Sequence, residues 1–330
     1  MEIARAVILA TPSADDLPWS SVGAWPKPLA PVATRPVLFH ALDALRGAGV
    51  LEAALLTGPE TSEIFTAAVG DGSRWGMSIR HAPCDDVVDV GAALGVMREF
   101  VDDEPVLVQR ADALLRELRR HVVGFARRTT DALALMLTRT AAADADPPLA
   151  GGYLLSPAAV AMMVNGSAIG SDPVVWLRRH GSDVRVLDVD GCLACHGGEA
   201  SLLEANRHAL TGIRTKVDGA EIRGSEIQGQ VIVHPTATLH NTVLRGPAII
   251  GARARIANSY IGPYSSIGAG VHIEGTEIEH SIVMDDARLL FVGSRLETSI
   301  IGRGASIERR FSLPAAVRMS IGDGAHVALG

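Results

Sequence analysis

Residues 248–283 read AIIGARARIANSYIGPYSSIGAGVHIEGTEIEHSIV, and an aliphatic side chain returns there every five or six positions. Extended in both directions, the row is Ile222, Ile227, Val233, Leu239, Leu244, Ile250, Ile256, Ile261, Ile267, Ile273, Ile278, Val283 and Leu289. Its steps are 5, 6, 6, 5, 6, 6, 5, 6, 6, 5, 5 and 6. An amphipathic helix would repeat at three and four, and a half-buried strand at two. Three steps make a coil of about 17 residues, the hexapeptide periodicity of a parallel β-helix. Each flat side of such a coil points one aliphatic residue inward, and stacked coils bury them as a continuous column. Glycine often follows the inward residue, as in IIG, YIG and SIG.

Upstream of about residue 208 the period changes. ARAVILA reads as a buried strand, and VLFHALDALRGAG as a helix with Leu38, Leu42 and Leu45 on one face, stopping at Gly47 to Gly49. LEAALLTG is the next strand, TSEIFTAAVGDG a helix with a glycine stop, and EPVLVQR a third strand. Strands alternating with helices at this spacing predict a parallel sheet covered on both faces. In such sheets ligands sit beyond the carboxyl ends of the strands, so the loops after AVILA and VLVQR are the places to look for a site. The chain thus divides into residues 1–208 and 209–330, joined by the helical segment EASLLEANRHAL.

Composition narrows the function classes. The chain has 330 residues, a net charge of −7 and 48% apolar residues, with no block of basic residues of the kind that marks a nucleic-acid binder. No run approaches the roughly 18 apolar residues of a membrane span. The start, MEIARAVILATPSADD, has an apolar core of only five residues, AVILA, with acidic residues soon after, unlike a signal or transit peptide. A cytoplasmic protein with small-molecule or protein partners, without nucleic acid or membrane, is the expectation. With three cysteines, Cys84, Cys192 and Cys195, a disulfide framework is not expected.

PVLFHALDALRGAGV, GPETSEIFTAAVGDGSRWG, GGYLLSPAAV, SLLEANR and NSYIGPYSSIGAGVHIEGTEIEHSIV together resemble, in the same order, segments of the long-type glucose-1-phosphate thymidylyltransferases. The resemblance implies a Rossmann-like nucleotidyltransferase α/β domain followed by a left-handed parallel β-helix. It also implies in-line attack of a sugar phosphate on a nucleotide α-phosphorus, where the protein supplies positioning and charge neutralisation. Magnesium is implied only so far as that transfer is retained.

Matched motif by motif, the active site is largely replaced. The family's first loop, Gly-Gly-x-Gly-Thr-Arg-Leu, wraps triphosphate with backbone N–H groups. Here the matching residues are Thr11, Pro12, Ser13, Ala14, Asp15, Asp16 and Leu17: no glycine, one donor removed by proline, and two carboxylates whose repulsion of a triphosphate amounts to several kcal/mol (order of magnitude) where solvation is poor. PKPL keeps the phosphate-binding lysine as Lys27, which could equally be a solvated loop lysine. In CDDVVDVGAAL, Cys84 replaces the base-reading glutamine and Asp89 a glycine against which the base packs. Ala111-Asp112-Ala113 keeps the aspartate of Gly-Asp-Asn, a metal ligand in the family, although a lone carboxylate after a strand is as readily a helix cap. The Glu-Lys-Pro lysine is missing from 131–151, the sugar-binding glutamates are missing from Ser167 to Asp172, and the second metal-binding aspartate falls on Cys195.

Cys195 lies in GCLACHGG, residues 191–198, which spells the Cys-x-x-Cys-His of covalent haem attachment. Beside that reading stand a soft-metal site on Cys192, Cys195, His196 or Asp112, a thiol nucleophile at Cys195, and small cysteines filling space where a carboxylate is no longer needed. Lys27, Asp112 and Cys195 are the residues to which catalysis would fall, with Asp112 and Cys195 as metal ligands and Cys84, Asp89, Cys192 and His196 lining a changed pocket. The leading expectation is a degenerate homologue that binds a small molecule in the former nucleotide-sugar pocket. Alternatives are a repurposed enzyme and residual nucleotidyl transfer. The prism also resembles that of hexapeptide acyltransferases, which would need a catalytic histidine among His234, His240, His272 and His280; an uninterrupted prism suits a homo-oligomerisation platform better.

Overall fold

In the computed structural model the residues described are 3–10, 26–84, 90–101, 104–126, 133–138, 150–165, 173–188, 191–193 and 198–309. The N-terminal part holds a seven-stranded sheet in the order β10-β8-β9-β6-β1-β4-β5. These strands are β1 (Arg5–Leu9), β4 (Glu52–Thr57), β5 (Ser78–Pro83), β6 (Val106–Arg110), β8 (Leu133–Thr138), β9 (Ala150–Leu155) and β10 (Asp183–Asp188). Two short pairs accompany them: β2 (Pro31–Val32) with β3 (Arg35–Pro36), and β7 (Ala113–Leu115) with β11 (Gly191–Leu193). The three strands read from the sequence as buried apolar runs form the centre, with β6, β1 and β4 parallel to one another.

Two features differ from the sequence reading. β5 is a strand that the reading passed over: Ile79 and Ala82 are buried while Arg80 is exposed, so an edge strand with polar alternation lacks the continuous apolar run of its neighbours. β9 runs antiparallel to both β6 and β8, because an apolar run such as YLL carries no information about strand direction.

Alternate residues of the central strands feed two cores. On one face Ala6, Ile8, Leu55 and Leu107 pack with Leu38, Leu42 and Leu45 of α1 (Val37–Ala48), Phe65 of α2 (Ser62–Val69) and Leu118. On the other, Val7, Leu56, Val106 and Val108 pack with Ala93 and Leu94 of α3 (Val90–Val96), Phe100 of α4 (Arg98–Val101), Val160 and Met163 (helix Pro157–Asn165) and Leu177 (helix Pro173–Arg179). Helix α1 ends where the glycines predicted, with Gly49 at φ 103°, a conformation that costs glycine little.

The C-terminal part is a left-handed parallel β-helix with faces of six, five and five strands. Its inward residues stack coil upon coil. One face runs Ile222, Leu239, Ile256, Ile273, Leu289, Ile307. The second runs Ile227, Leu244, Ile261, Ile278, Leu296, and the third Val233, Ile250, Ile267, Val283, Ile301. From Val233 to Leu289 every member of the row is at most 2% exposed, a state in which one aliphatic side chain is stabilised by about 1.5–3 kcal/mol.

Corners recur with the coil. Gly224, Asn241, Asn258, Gly275 and Phe291 all have positive φ, and the Asn241 side-chain amide donates to Asn258 Oδ1 at 2.8 Å. Among the four histidines considered, His280 sits at such a corner with φ 47°, its ring 5.4 Å from that of Tyr264. His234 Nδ1 lies 3.0 Å from Thr236 Oγ1, and His240 and His272 lie on strands. The glycine after the inward residue makes room: a Cβ on Gly251 would stand 2.6 Å from the carbonyl carbon of Gly268 in the next coil.

The helix Glu199–Leu210 coincides with the predicted segment and joins the two parts. Its Leu202, Ala205 and Leu210 share one core with Ala30, Val32, Ala33 and Val37 from the sheet side and Ile249, Ile282 and Met284 from the β-helix. Asn206, 1% exposed, links all three: its Oδ1 accepts from Ala33 N at 2.9 Å and its Nδ2 donates to the Tyr264 carbonyl at 2.9 Å.

Asn206→Ala leaves the Ala33 N–H buried without this acceptor and is expected to lower stability by about 1–3 kcal/mol, read as a fall in the urea midpoint at constant m-value. Gly251→Ala forces a methyl into backbone and is expected to cost a similar ~1–3 kcal/mol, read as a drop in melting temperature that Ala252→Gly does not reproduce.

Candidate active site

The parallel strands β1, β4, β5 and β6 end together at Leu9, Thr57, Pro83 and Arg110, and two of the residues singled out in the sequence, Cys84 and Asp112, follow directly beyond those ends. The loop matching the phosphate motif, 11–25, lies outside the described residues. The chain re-enters at Pro26 and turns through the short 3₁₀ helix Lys27–Leu29, where Ala30 N donates to the Lys27 carbonyl at 3.0 Å. Leu29 is buried beneath it, and the Lys27 ammonium nitrogen is itself buried, so Lys27 is not a solvated loop lysine.

The hairpin after Lys27 is held firmly. Ala33 and Thr34, at φ 47° and 63°, form the turn between β2 and β3, which Asn206 clamps through Ala33 N. His40 Nε2 lies 2.9 Å from the Val32 carbonyl, to which it donates. Burial pushes the His40 pKa below its usual value, outweighing that hydrogen bond, so His40 is a neutral strut at pH 7. Beside it, Arg35 pairs with Asp43 at 2.8 Å.

At the end of β6 the chain makes a tight, polar turn. Ala111 N donates to the Leu9 carbonyl at 2.8 Å, and the buried Gln109 donates from Nε2 to the Ala113 carbonyl at 2.9 Å, so the turn closes around Asp112. Sequence reasoning missed Gln109, although a glutamine inside an otherwise apolar strand run was a visible signal. Asp112 is 3% exposed and precedes the strand β7, which removes the helix-cap reading. Its carboxylate is forked by Arg110: Nε to Oδ1 at 2.9 Å and Nη2 to Oδ2 at 3.2 Å. Such a paired, charge-assisted contact is the strong form of the interaction.

The remaining candidates separate. Cys84 is a half-buried free thiol whose N–H donates to the Thr57 carbonyl at 2.9 Å, placing it at the edge strand. In the order β6-β1-β4-β5 it stands three strand spacings from Asp112, about 14 Å at some 4.8 Å per strand. One metal ion cannot bridge them, whereas a ligand of nucleotide size can. Cys192 lies on β11 opposite Leu114, and Leu193 opposite Ala113, so Leu193 pairs with the residue after Asp112. Cys195, His196 and Asp89 lie outside the described residues.

The family resemblance implies a divalent cation on Asp112 and the position of Cys195. The Asp112 side chain does not fit an open ligand, since a guanidinium engages both its oxygens. Among the described residues no group of three or more His, Cys, Asp or Glu side chains is placed to hold a metal ion, and no helix among them is long and apolar enough to cross a membrane.

Breaking the pair from one side should cost more than removing it. Asp112→Ala, which takes the forked carboxylate from a mostly buried guanidinium, is expected to destabilise by about 3–5 kcal/mol. The double replacement Arg110→Leu/Asp112→Leu is expected to recover most of that loss, and a double-mutant cycle on urea unfolding measures the difference.

The family model described as Nucleotidyl transferase matches residues 18–146. A glucose-1-phosphate thymidylyltransferase from Streptomyces griseus is 32% identical over 327 residues, spanning 90% of this chain and 92% of that protein. One from Streptomyces antibioticus is 28% identical over 334 residues, spanning 92% and 93%. A crystal structure of a Bacillus anthracis chain described as a putative glucose-1-phosphate thymidylyltransferase superposes with a TM-score of 0.53 at 18% identity, covering 64% of this chain and 97% of that one. With a relative 32% identical over nine-tenths of both chains, the protein belongs to the glucose-1-phosphate thymidylyltransferase family of nucleotidyl transferases.

Proposed function

We propose that this protein is a degenerate member of its family: it retains the pocket as a small-molecule binding site and has given up ordinary nucleotidyl transfer. The observation that carries this reading is the Arg110 fork on Asp112, which engages the one metal carboxylate that the sequence retains. The departures in sequence point the same way. The glycine-free loop with Asp15 and Asp16, Cys84 for the base-reading glutamine, the missing sugar glutamates and Cys195 for the second aspartate each remove a group that would hold or neutralise a nucleotide.

Lys27 keeps the place of the family's phosphate-binding lysine, with its ammonium nitrogen buried. The protein then acts by binding or assembly, in bacterial deoxysugar or specialised-metabolite biosynthesis, in keeping with its Streptomyces relatives. The β-helix, whose coils stack without a long insertion from Glu221 to Glu308, is proposed as the platform for a homo-oligomer in the cytoplasm. A second reading, a repurposed enzyme, draws on the half-buried free thiol of Cys84 at the far end of the pocket.

Thermal unfolding with dTTP, UTP, ATP and glucose 1-phosphate, each with and without magnesium, tests the proposal. A ligand at about 100 times its Kd stabilises by about 2.7 kcal/mol, a shift of several degrees. No shift of that size is expected with any nucleotide, and no pyrophosphate release with dTTP and glucose 1-phosphate. A large magnesium-dependent dTTP shift with turnover would overturn the reading in favour of retained transfer.

A further inference from the structure

Arg110 and Asp112 are two residues apart at the end of β6, and the backbone between them is tied twice. Ala111 N is bonded to the Leu9 carbonyl, and Gln109 Nε2 reaches over to the Ala113 carbonyl. Both ties flank Asp112, so the fork is built by the turn itself and does not depend on two long side chains finding each other. The carboxylate is almost fully buried and the guanidinium is mostly so. A cation that coordinates Asp112 would have to approach a carboxylate whose two oxygens already accept from Nε and Nη2, and would do so within a few ångströms of a fixed positive charge. Arginine cannot relieve that conflict by losing a proton, because its side chain stays charged in proteins.

We propose that the Arg110 guanidinium is the resident cation of this pocket: it neutralises Asp112 in place of a divalent metal, so the pocket takes its ligand without Mg²⁺ or Mn²⁺. Gln109 acts here as a positioning residue, holding the turn that aims Asp112 at Arg110. The inference rests on the proposed reading of this site as a small-molecule pocket and deepens it, while its test, made without nucleotide, fails or holds separately from the loss of nucleotidyl transfer.

The test is Mn²⁺ titration of the full chain without nucleotide, followed by electron paramagnetic resonance of free Mn²⁺ and by water-proton relaxation. The wild type and Asp112→Asn are expected to titrate identically, with no site that depends on Asp112. Arg110→Gln, which keeps a polar side chain and removes the charge, is expected to gain one Mn²⁺ site at least about tenfold tighter than anything in the wild type, and Arg110→Gln/Asp112→Asn to lose it again. A wild-type Mn²⁺ site that Asp112→Asn abolishes overturns the proposal, as does a folded Arg110→Gln that gains nothing. If Arg110→Gln does not fold, the wild-type and Asp112→Asn pair decides. Nucleotide is absent throughout, so the result is read separately from the dTTP experiment.

Discussion

One buried amide, that of Asn206, makes contact with both halves of the molecule. Its oxygen takes the N–H of Ala33 in the hairpin after Lys27, and its nitrogen gives a hydrogen bond to the Tyr264 carbonyl at a corner of the β-helix. The helix that carries it, Glu199–Leu210, also comes after the strand that pairs beside Asp112. An asparagine at 1% exposure is tolerable only when its donor and acceptor are matched, and here the two partners come from segments more than two hundred residues apart in sequence. The apolar contacts around it, from Val32 and Val37 to Ile249 and Ile282, bury the joint. The position of Lys27 and the orientation of the β-helix are therefore set by the same small core.

Charge at the end of β6 is set by a separate, local contact, the fork of Arg110 on Asp112. A metal-dependent nucleotidyl transferase needs carboxylates that are buried enough to be strong ligands and open enough to receive an ion. Asp112 meets the first condition and not the second, because the strand end that buries it also presents Arg110 to both of its oxygens. A buried ion pair of this kind is weak evidence for stability, yet losing one member is costly.

Much of the fold was legible in the amino-acid order. The aliphatic row from Ile222 to Leu289 was readable because each inward position faces the same column, and burial leaves only apolar side chains there. Leu38, Leu42 and Leu45 announced α1 for the same reason, and EASLLEANRHAL matched its helix end to end. β5 was not legible, since an edge strand carrying Arg80 and His81 has half the apolar signal of a central one. At the site, Lys27 and Cys84 were singled out by the family resemblance, whereas the place of Asp112 just beyond the end of a parallel strand was legible from the alternation of strands and helices. The partners of these residues were not. Arg110 looked like the last residue of a strand, and Gln109 like one more residue of it.

The amino-acid order alone determined the two architectures, because hydrophobic period is a local property: a repeat of five and six residues permits only stacked coils, and buried runs alternating with helices permit only a layered sheet. It also determined which side chains are available at the strand ends. Only the tertiary structure decided what those side chains touch. The separation of Cys84 from Asp112 depends on strand order, which no local period encodes. Whether Asp112 faces a metal or a guanidinium depends on how a turn is closed by Gln109, Ala113 and Leu9, and that closure exists only once β1 and β6 lie side by side.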